Sequence, residues 1–229
     1  MIKKIIFFVS ISLLISTGLY AQRIMGEAIV GLNMSKIEGD LINNGSLKFQ
    51  KAGLSMGVGA IVPISDRFSF TIQTLFSQKG AYKKYGPKAD TGKPYYKTQL
   101  NYLEVPLLFS YHDKGRMVFS TGISYSRLVG AKWKVYGNIL TNSINDKFFA
   151  LDNFDWIIEI RYPIWRSAYV NARYQYGLNS IWTGPDDKLL KNLTQTQNTK
   201  QQHSLISLQL IWVFGEQQSE RVRKDKDMP

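Results

Sequence analysis

Cysteine is absent from all 229 residues of the chain. Its absence excludes disulfides, thiolate metal sites, cysteine nucleophiles and the lipid-bearing cysteine of a lipoprotein. Histidine occurs only as His112 and His203, and the sequence lacks the His-Glu-x-x-His zinc motif and the phosphate-binding Gly-Lys-Ser/Thr motif. We therefore expect a protein that is not an enzyme, with no catalytic or metal-binding residues and no cofactor.

Long apolar runs are also scarce. The single clear one, Ile5–Leu19, has 15 residues, whereas a membrane-spanning helix needs about 20. Lys3 and Lys4 precede it and the small residue Ala21 follows it, which is typical of a secretory signal peptide. We predict that residues 1–21 are cleaved and that the mature chain is exported.

What the chain does contain is a two-residue alternation of apolar and polar side chains, which predicts strands. The alternation and the turn-forming residues between its runs predict eight strands. Their expected bounds are 24–33, 50–63, 67–78, 96–111, 116–130, 154–163, 167–179 and 203–214.

The connections between these strands alternate in length. Short turns follow the second, fourth and sixth strands, whereas the remaining connections, at 34–49, 79–95, 131–153 and 180–202, are long. Short turns at one end and long loops at the other are typical of an outer-membrane barrel. We predict an all-β, eight-stranded antiparallel up-and-down transmembrane β-barrel over residues 22–214, followed by a disordered periplasmic tail at 215–229.

The predicted fourth strand illustrates the two faces of this barrel. Leu103, Leu107 and Phe109 share one face, and Tyr102 and Glu104 share the other. We expect the apolar face to meet lipid and the polar face to line the lumen. The alternative is a soluble periplasmic, lipocalin-like barrel that binds an apolar ligand, and it predicts the reverse orientation.

The segment Tyr102-Leu103-Glu104-Val105-Pro106-Leu107-Leu108 resembles the Tyr-Leu-Glu-(Ile/Val)-Pro-Leu-Leu stretch of the PorT-like outer-membrane β-barrel family. The Gly-rich second and fifth strands are similar as well. This resemblance implies a small bacterial outer-membrane barrel without a cofactor. The family's namesake is linked to the assembly of a protein-secretion system, which makes secretion-system proteins candidate partners.

Five charged residues fall on the face that is expected to line the lumen. These are Glu27, Glu104, Glu159, Arg161 and Arg173. Buried charges are costly unless they are paired, so we expect a network of salt bridges that plugs the barrel. The alternatives are a path for protons or ions and a catalytic pair of carboxylates.

The predicted connection after the third strand is strongly basic. It holds Lys79, Lys83, Lys84, Lys88, Lys93 and Lys97 against the single acid Asp90. Such a loop is either a solvated segment or a contact for lipopolysaccharide phosphates. Export disfavours nucleic acid as a partner, despite a formal net charge of +12.

The sequence thus predicts a non-enzymatic outer-membrane protein with a structural, adhesive or secretion-accessory role. Its expected partners are outer-membrane lipid, lipopolysaccharide and the barrel-insertion machinery, which we expect to recognise the aromatic end of the last strand, Trp212-Val213-Phe214. An outer-membrane hydrolase is a further alternative, with His203 as its candidate base near the outer rim. The two histidines are expected at opposite ends of the barrel, which disfavours a site that they share.

Overall fold

The computed structural model describes most of the chain beyond its first residues. The described ranges are 24–38, 49–83, 96–114, 116–135, 138–141, 144–146, 148–182 and 201–215. The predicted signal peptide therefore lies outside the described residues, as does the predicted tail from residue 216 onward.

Nine strands and one short helix make up the described structure. The strands are β1 (Met25–Glu38), β2 (Lys51–Pro63), β3 (Phe68–Lys83), β4 (Tyr96–His112), β5 (Val118–Val135), β6 (Asn138–Thr141), β7 (Asp152–Trp165), β8 (Ala168–Gly177) and β9 (Gln202–Phe214). A 3-10 helix spans Ile144–Asp146. Within the described ranges, no helix has the length and apolar character needed to cross a bilayer.

Eight of the strands close into a barrel in which every pair of neighbours is antiparallel. β1 pairs with both β2 and β9, and β4 pairs with β5, so the sheet returns on itself through β7 and β8. Closure leaves no strand of the barrel with an unpaired edge. The predicted eight-stranded antiparallel barrel is confirmed. The short strand β6 was not expected, and it pairs only with the end of β5.

Side chains alternate between the outer and inner faces of the wall, with a bulge in β5 where the register shifts opposite Asn101 and Tyr102. On β4, Leu103, Leu107 and Phe109 are exposed on the outer face, whereas Tyr102 and Glu104 are buried in the lumen. The predicted orientation is therefore confirmed for this strand, and the other strands follow it. The lipocalin-like alternative required an apolar interior and is wrong, because the described lumen is lined mainly by polar and charged side chains.

The apolar part of the outer face forms a belt of limited height. On β4 the belt runs from Leu103 to Tyr111, and on β9 it runs from Ile206 to Phe214. Nine residues span about 26 Å along a strand, or about 20 Å along the axis of a barrel tilted by about 40°. That height suits the hydrocarbon layer of an outer membrane.

Different residues mark the two borders of the belt. At the end of the barrel with the short turns, hereafter the turn end, aromatic rings pack side by side: Phe68 lies 5.4 Å from Phe109 and 5.5 Å from Tyr111 between ring centroids. At the opposite end, hereafter the loop end, the belt gives way to polar side chains. These are Lys36, Gln78, Asn101, Arg127, Asp152 and Gln202.

Three strands extend five residues further toward the loop end than the sequence indicated. β1 continues to Glu38, β3 to Lys83 and β5 to Val135, which shortens the predicted loops. Beyond the belt the outer face lies outside the hydrocarbon layer, so the sequence no longer needs to alternate there. The strands persist because their backbones stay hydrogen-bonded to neighbours, as in the pairing of Lys83 with Tyr96.

Candidate functional site: the barrel lumen

Glycine on the inner face makes room for the charged side chains of the lumen. Glu27 of β1 is the register partner of Gly59 on β2. A Cβ atom at residue 59 would lie 2.6 Å from Glu27 Oε1, closer than real contacts allow. The small residues of β2 thus let a full carboxylate side chain occupy a narrow lumen.

Four of the five predicted lumen charges form one connected chain of ion pairs. Arg161 lies between two carboxylates, with Nη1 2.7 Å from Glu27 Oε2 and Nη2 2.8 Å from Glu159 Oε1. Arg173 Nη2 then lies 2.7 Å from Glu159 Oε2. Two arginines balance two glutamates, so the buried charge is neutral within this group.

A glutamine closes the chain into a ring. Gln73 Nε2 donates to Glu27 Oε1 at 2.6 Å, and Gln73 Oε1 accepts from Arg173 Nη2 at 2.6 Å. The five residues, hereafter the lumen ring, are Glu27, Gln73, Glu159, Arg161 and Arg173. Asn171 Nδ2 donates to Glu159 Oε2 at 3.1 Å from inside the same layer. Because each charge is matched by an opposite charge or an amide, the desolvation penalty of burial is offset.

A second cluster lies nearer the loop end. Lys79 Nζ is 2.6 Å from both Glu104 Oε1 and Asp155 Oδ2. Asp155 also accepts hydrogen bonds from Gln175 Nε2 at 2.8 Å and Ser126 Oγ at 3.3 Å. The fifth predicted lumen charge, Glu104, therefore belongs to this cluster and not to the lumen ring.

The position of Lys79 corrects the predicted basic loop. Lys79 was assigned to the connection after the third strand, but it lies within β3 and its side chain is fully buried. It has the same inward phase as Gln73 and Ser77, so extending the strand by one residue would have found it. The physical reason is that Glu104 and Asp155 neutralise its charge inside the lumen.

The other lysines of the predicted loop lie in different parts of the chain. Lys83 is the last residue of β3, and Lys97 lies in β4 with its backbone opposite Lys134 of β5. Lys84, Lys88 and Lys93 lie outside the described residues. The connection is therefore shorter than expected, and part of its charge belongs to the strands.

Asp155 is a lumen residue that sequence reasoning missed. On β7 it has the same phase as Glu159 and Arg161, and it is fully buried. The signal was present in the sequence, because residues two or four apart on a strand share a face. Its place near the predicted strand boundary concealed it.

Aromatic side chains fill the lumen at the loop end. The ring of Trp133 lies 5.7 Å from Phe148, 6.3 Å from Phe149 and 5.3 Å from Trp182 between centroids. Ile37, Leu100 and Ile181 belong to the same cluster, and we refer to these residues together with the four aromatic ones as the aromatic lid. The lid lies above the Lys79 cluster and separates it from the outside.

The turn end is less tightly filled. A cavity of about 70 Å³ lies there, lined in part by Ser69, His112, Arg161 and Tyr169. His112 Nε2 and Ser69 Oγ are 2.8 Å apart. This cavity has room for only a few water molecules. A wider cavity of about 510 Å³ at the same end is also lined by His112 and Tyr169, together with Asp113 and Arg116.

His203 lies at the other end of the barrel, as expected. Its Nε2 is 3.2 Å from the hydroxyl of Tyr102, and its ring is buried. The aromatic lid covers this region, so His203 is not the exposed base at the outer rim that the hydrolase alternative requires. Among the described residues, no group of three or more His, Asp or Glu side chains is placed to hold a metal ion.

The sequence also contains one motif that has a catalytic role in other proteins. Gly53-Leu54-Ser55-Met56-Gly57 matches the Gly-x-Ser-x-Gly pattern of hydrolases, in which the serine sits on a sharp turn between strand and helix. Here all five residues lie within the extended strand β2. Ser55 Oγ accepts a hydrogen bond from Gln209 Nε2 at 3.2 Å in the lumen, which is a structural role.

Comparison with known proteins gives one family match. Residues 21–182, more than half of the chain, match the family model described as "Outer membrane protein beta-barrel domain". Among curated proteins, none matches the chain.

Several solved structures are similar at low sequence identity. Ail, the attachment invasion locus protein of Yersinia pestis, is 10% identical with a TM-score of 0.46, and the match covers 83% of this chain and 98% of Ail. Neisserial surface protein A is 12% identical with a TM-score of 0.45, covering 82% of this chain and 96% of that protein. OprG of Pseudomonas aeruginosa is 11% identical with a TM-score of 0.39, covering 83% and 94%.

Proposed function

Because the chain belongs to the outer membrane protein β-barrel domain family, we propose that it is a non-enzymatic, non-conducting anchor in the outer membrane that presents its long loops at the cell surface. The observation that carries this proposal is the lumen ring. Glu27, Gln73, Glu159, Arg161 and Arg173 bond to one another across the interior, which supports a lumen that is closed by its own side chains. An eight-stranded barrel is only wide enough for side chains to fill.

The unequal connections support the same role. Three turns of two to five residues join strands at the turn end, whereas the loop end carries four connections, including residues 39–50 and 178–201. In an outer-membrane barrel the longer connections face the outside. The connections proposed to face the periplasm are therefore short and those proposed to face the cell surface are long, which suits an adhesive or structural role.

A secretion-accessory role is the second candidate. It rests on the resemblance of Tyr102–Leu108 to the PorT-like family, and it would use the same surface loops to contact secretion-system proteins. Export would begin with cleavage after Ala21, and the barrel-insertion machinery would recognise the aromatic end of β9. Lipopolysaccharide is the lipid partner that we propose, because its phosphates complement the basic side chains near the loop end.

Conductance measurements test the proposal. The mature chain, inserted into a planar lipid bilayer, should give no steady current above the bare membrane. A matched barrel in which Glu159, Arg161 and Arg173 are all replaced by serine would report whether the lumen ring is the barrier. A large steady current through the unaltered protein would contradict the proposal.

The loops are tested separately on cells. Replacing residues 184–199 with a short Gly-Ser linker should leave the amount of inserted barrel unchanged, since the strands are kept. Adhesion should fall if the role is adhesive, and export of secreted proteins should fall if the role is secretion-accessory. No change in either readout, repeated for the other long loops, would contradict a role for the loops.

A further inference from the structure

The outer face of the barrel beyond the belt carries two kinds of lysine and arginine residues. Lys36 lies 2.8 Å from Glu38, and Arg127 lies 2.7 Å from Asp152, so these cations have partners within the protein. Lys97, Lys132 and Lys134 form no ion pair among the described residues. The unpaired cations of the outer face are not scattered, because all three lie on the neighbouring strands β4 and β5. Lys51 at the start of β2 also forms no ion pair, and its Nζ donates to the backbone oxygen of Ala52.

The register brings these three lysines together. Lys97 is the direct cross-strand partner of Lys134, and Gln99 is the partner of Lys132. Lys132 is therefore diagonal to Lys97, at a Cβ separation of about 7–8 Å, and direct partners are closer still. The inward residues between them, Ala131 and Trp133, are buried, which places the three lysines on the outer face.

Like charges that face each other directly across two strands destabilise a sheet unless an anion lies between them. Among the described outward residues of β3 to β6 beyond the belt there is no acid that could provide this anion. They are Gln78, Gly80, Tyr82, Lys97, Gln99, Asn101, Val129, Gly130, Lys132, Lys134 and Ile139.

The location of this cluster identifies the class of anion. The three lysines lie on the same wall as Leu103 and Phe76, the last belt residues of β4 and β3, and about 10–20 Å further along the strands. That is the level of the headgroups of the outer leaflet. Tyr82, Gln99 and Asn101 lie on the same face and offer hydrogen bonds of the kind that sugar hydroxyls make.

We propose that Lys97, Lys132 and Lys134 form a binding site for the phosphorylated sugar headgroup of an outer-leaflet glycolipid. A phosphate between the three ammonium groups removes their mutual repulsion, and neighbouring amides and Tyr82 bind the sugar. The site rests on the lipopolysaccharide partner proposed above. It assigns the contact to the rigid wall of β4 and β5 and not to the connection that follows β3.

Native mass spectrometry of the mature barrel tests the assignment. The probe is lipid A in phosphatidylcholine nanodiscs, compared with lipid A stripped of its phosphates. The triple variant K97Q/K132Q/K134Q should lose at least tenfold in lipid A retention, since one lysine near an anionic surface contributes about fivefold. With lipid A that lacks its phosphates, the triple variant and the unaltered protein should show the same retention.

Two matched controls distinguish binding at this site from a nonspecific attraction between lipid A and the positive charge of the protein. The variant K84Q/K88Q/K93Q removes the same charge from the connection after β3 and should retain lipid A as the unaltered barrel does. The variant R127Q removes a cation that already has Asp152 as a partner, and it should also retain lipid A.

The outcomes distinguish two failures. If the unaltered barrel retains no more phosphorylated than dephosphorylated lipid A, the lipopolysaccharide partner and this site both fail. If the K84Q/K88Q/K93Q variant loses retention and the K97Q/K132Q/K134Q variant keeps it, only the site on β4 and β5 fails. Equal retention of phosphatidylglycerol would exclude a glycolipid-specific site. Heat-modifiable migration on gels verifies that each variant is folded.

Discussion

Arg161 and Glu27 form an ion pair of 2.7 Å across the lumen, although 134 positions separate them in the chain. Arg161 belongs to β7 and Glu27 to β1, and neither strand contacts the other through its backbone. The side chains therefore link opposite parts of the wall in addition to the ladder that closes it. This ion pair forms only when β1 and β7 belong to the same closed barrel, so its presence indicates that the barrel has closed.

Removing one member of this pair should therefore destabilise the barrel strongly. Arg161→Leu leaves Glu27 and Glu159 without their shared cation inside the lumen, at a cost of about 3–5 kcal/mol. Urea unfolding of the barrel in lipid vesicles measures the loss. Arg127→Leu is the control, because its pair with Asp152 is exposed and its loss should leave the unfolding midpoint unchanged. Equal midpoints for both variants would contradict a stabilising lumen ring.

The alternation of side chains made most of the fold predictable from the sequence. A two-residue period over nine residues, as in Ile206–Phe214, identifies a strand, its length and the face that meets lipid. The order of short turns and long loops then determines the up-and-down arrangement. Both features involve residues that are close together in the chain, so they can be recognised directly in the sequence.

Side-chain partners in the lumen were much less predictable. The sequence indicated that Glu104, Glu159, Arg161 and Arg173 face inward, but the choice of partner depends on tilt and register around the whole cylinder. Gln73 closes the lumen ring from β3, and no local pattern distinguishes it from any other inward glutamine. The strand extensions beyond the belt could not be predicted, because the alternation of apolar and polar residues ends at the border of the lipid-facing belt. For the same reason Lys79 was predicted to lie in a loop.

The buried position of Lys79 predicts a slow reaction with amine reagents. In the folded barrel Lys79 is enclosed by Glu104, Asp155 and the ring of Tyr102, 5.3 Å from its Nζ. We expect an N-hydroxysuccinimide ester to modify Lys132 readily and Lys79 only after unfolding, as measured by peptide mass spectrometry. Modification of both lysines at the same rate in the folded protein would place Lys79 back in a loop.

The lipid-facing assignment predicts a depth-dependent cost of charge on β9. Leu210→Arg places a cation at the middle of the belt and should cost about 2–4 kcal/mol, whereas Phe214→Arg at its border should cost about 1 kcal/mol or less. Both residues are exposed on the outer face. Unfolding in vesicles measures the difference, and an equal effect at the two positions would argue against a bilayer around this strand.

Glycines on β1 and β2 offer a test of how tightly the lumen is filled. Gly59→Ala brings a methyl group against Glu27 Oε1 and should cost about 1–3 kcal/mol through displacement of that carboxylate. Gly26 has no neighbour closer than 3.8 Å to an added Cβ, so Gly26→Ala should stay within about 0.5 kcal/mol of the unaltered barrel. A neutral Gly59→Ala variant would show that Glu27 can move without breaking the lumen ring.

The aromatic lid should control access to the lumen from the loop end. Trp133 is buried and contacts Phe148, Phe149 and Trp182, so Trp133→Ala removes the ring on which the others pack. We expect a cost of about 3–5 kcal/mol. We also expect Lys79, which lies beneath the lid, to react faster with the amine reagent while the barrel stays folded. Trp165→Ala is the control, because Trp165 is 75% exposed at the turn end. If Trp133→Ala lowered stability but left the labelling of Lys79 as slow as before, the lid would be a packing element alone, and the Lys79 cluster would be sealed by its own salt bridges.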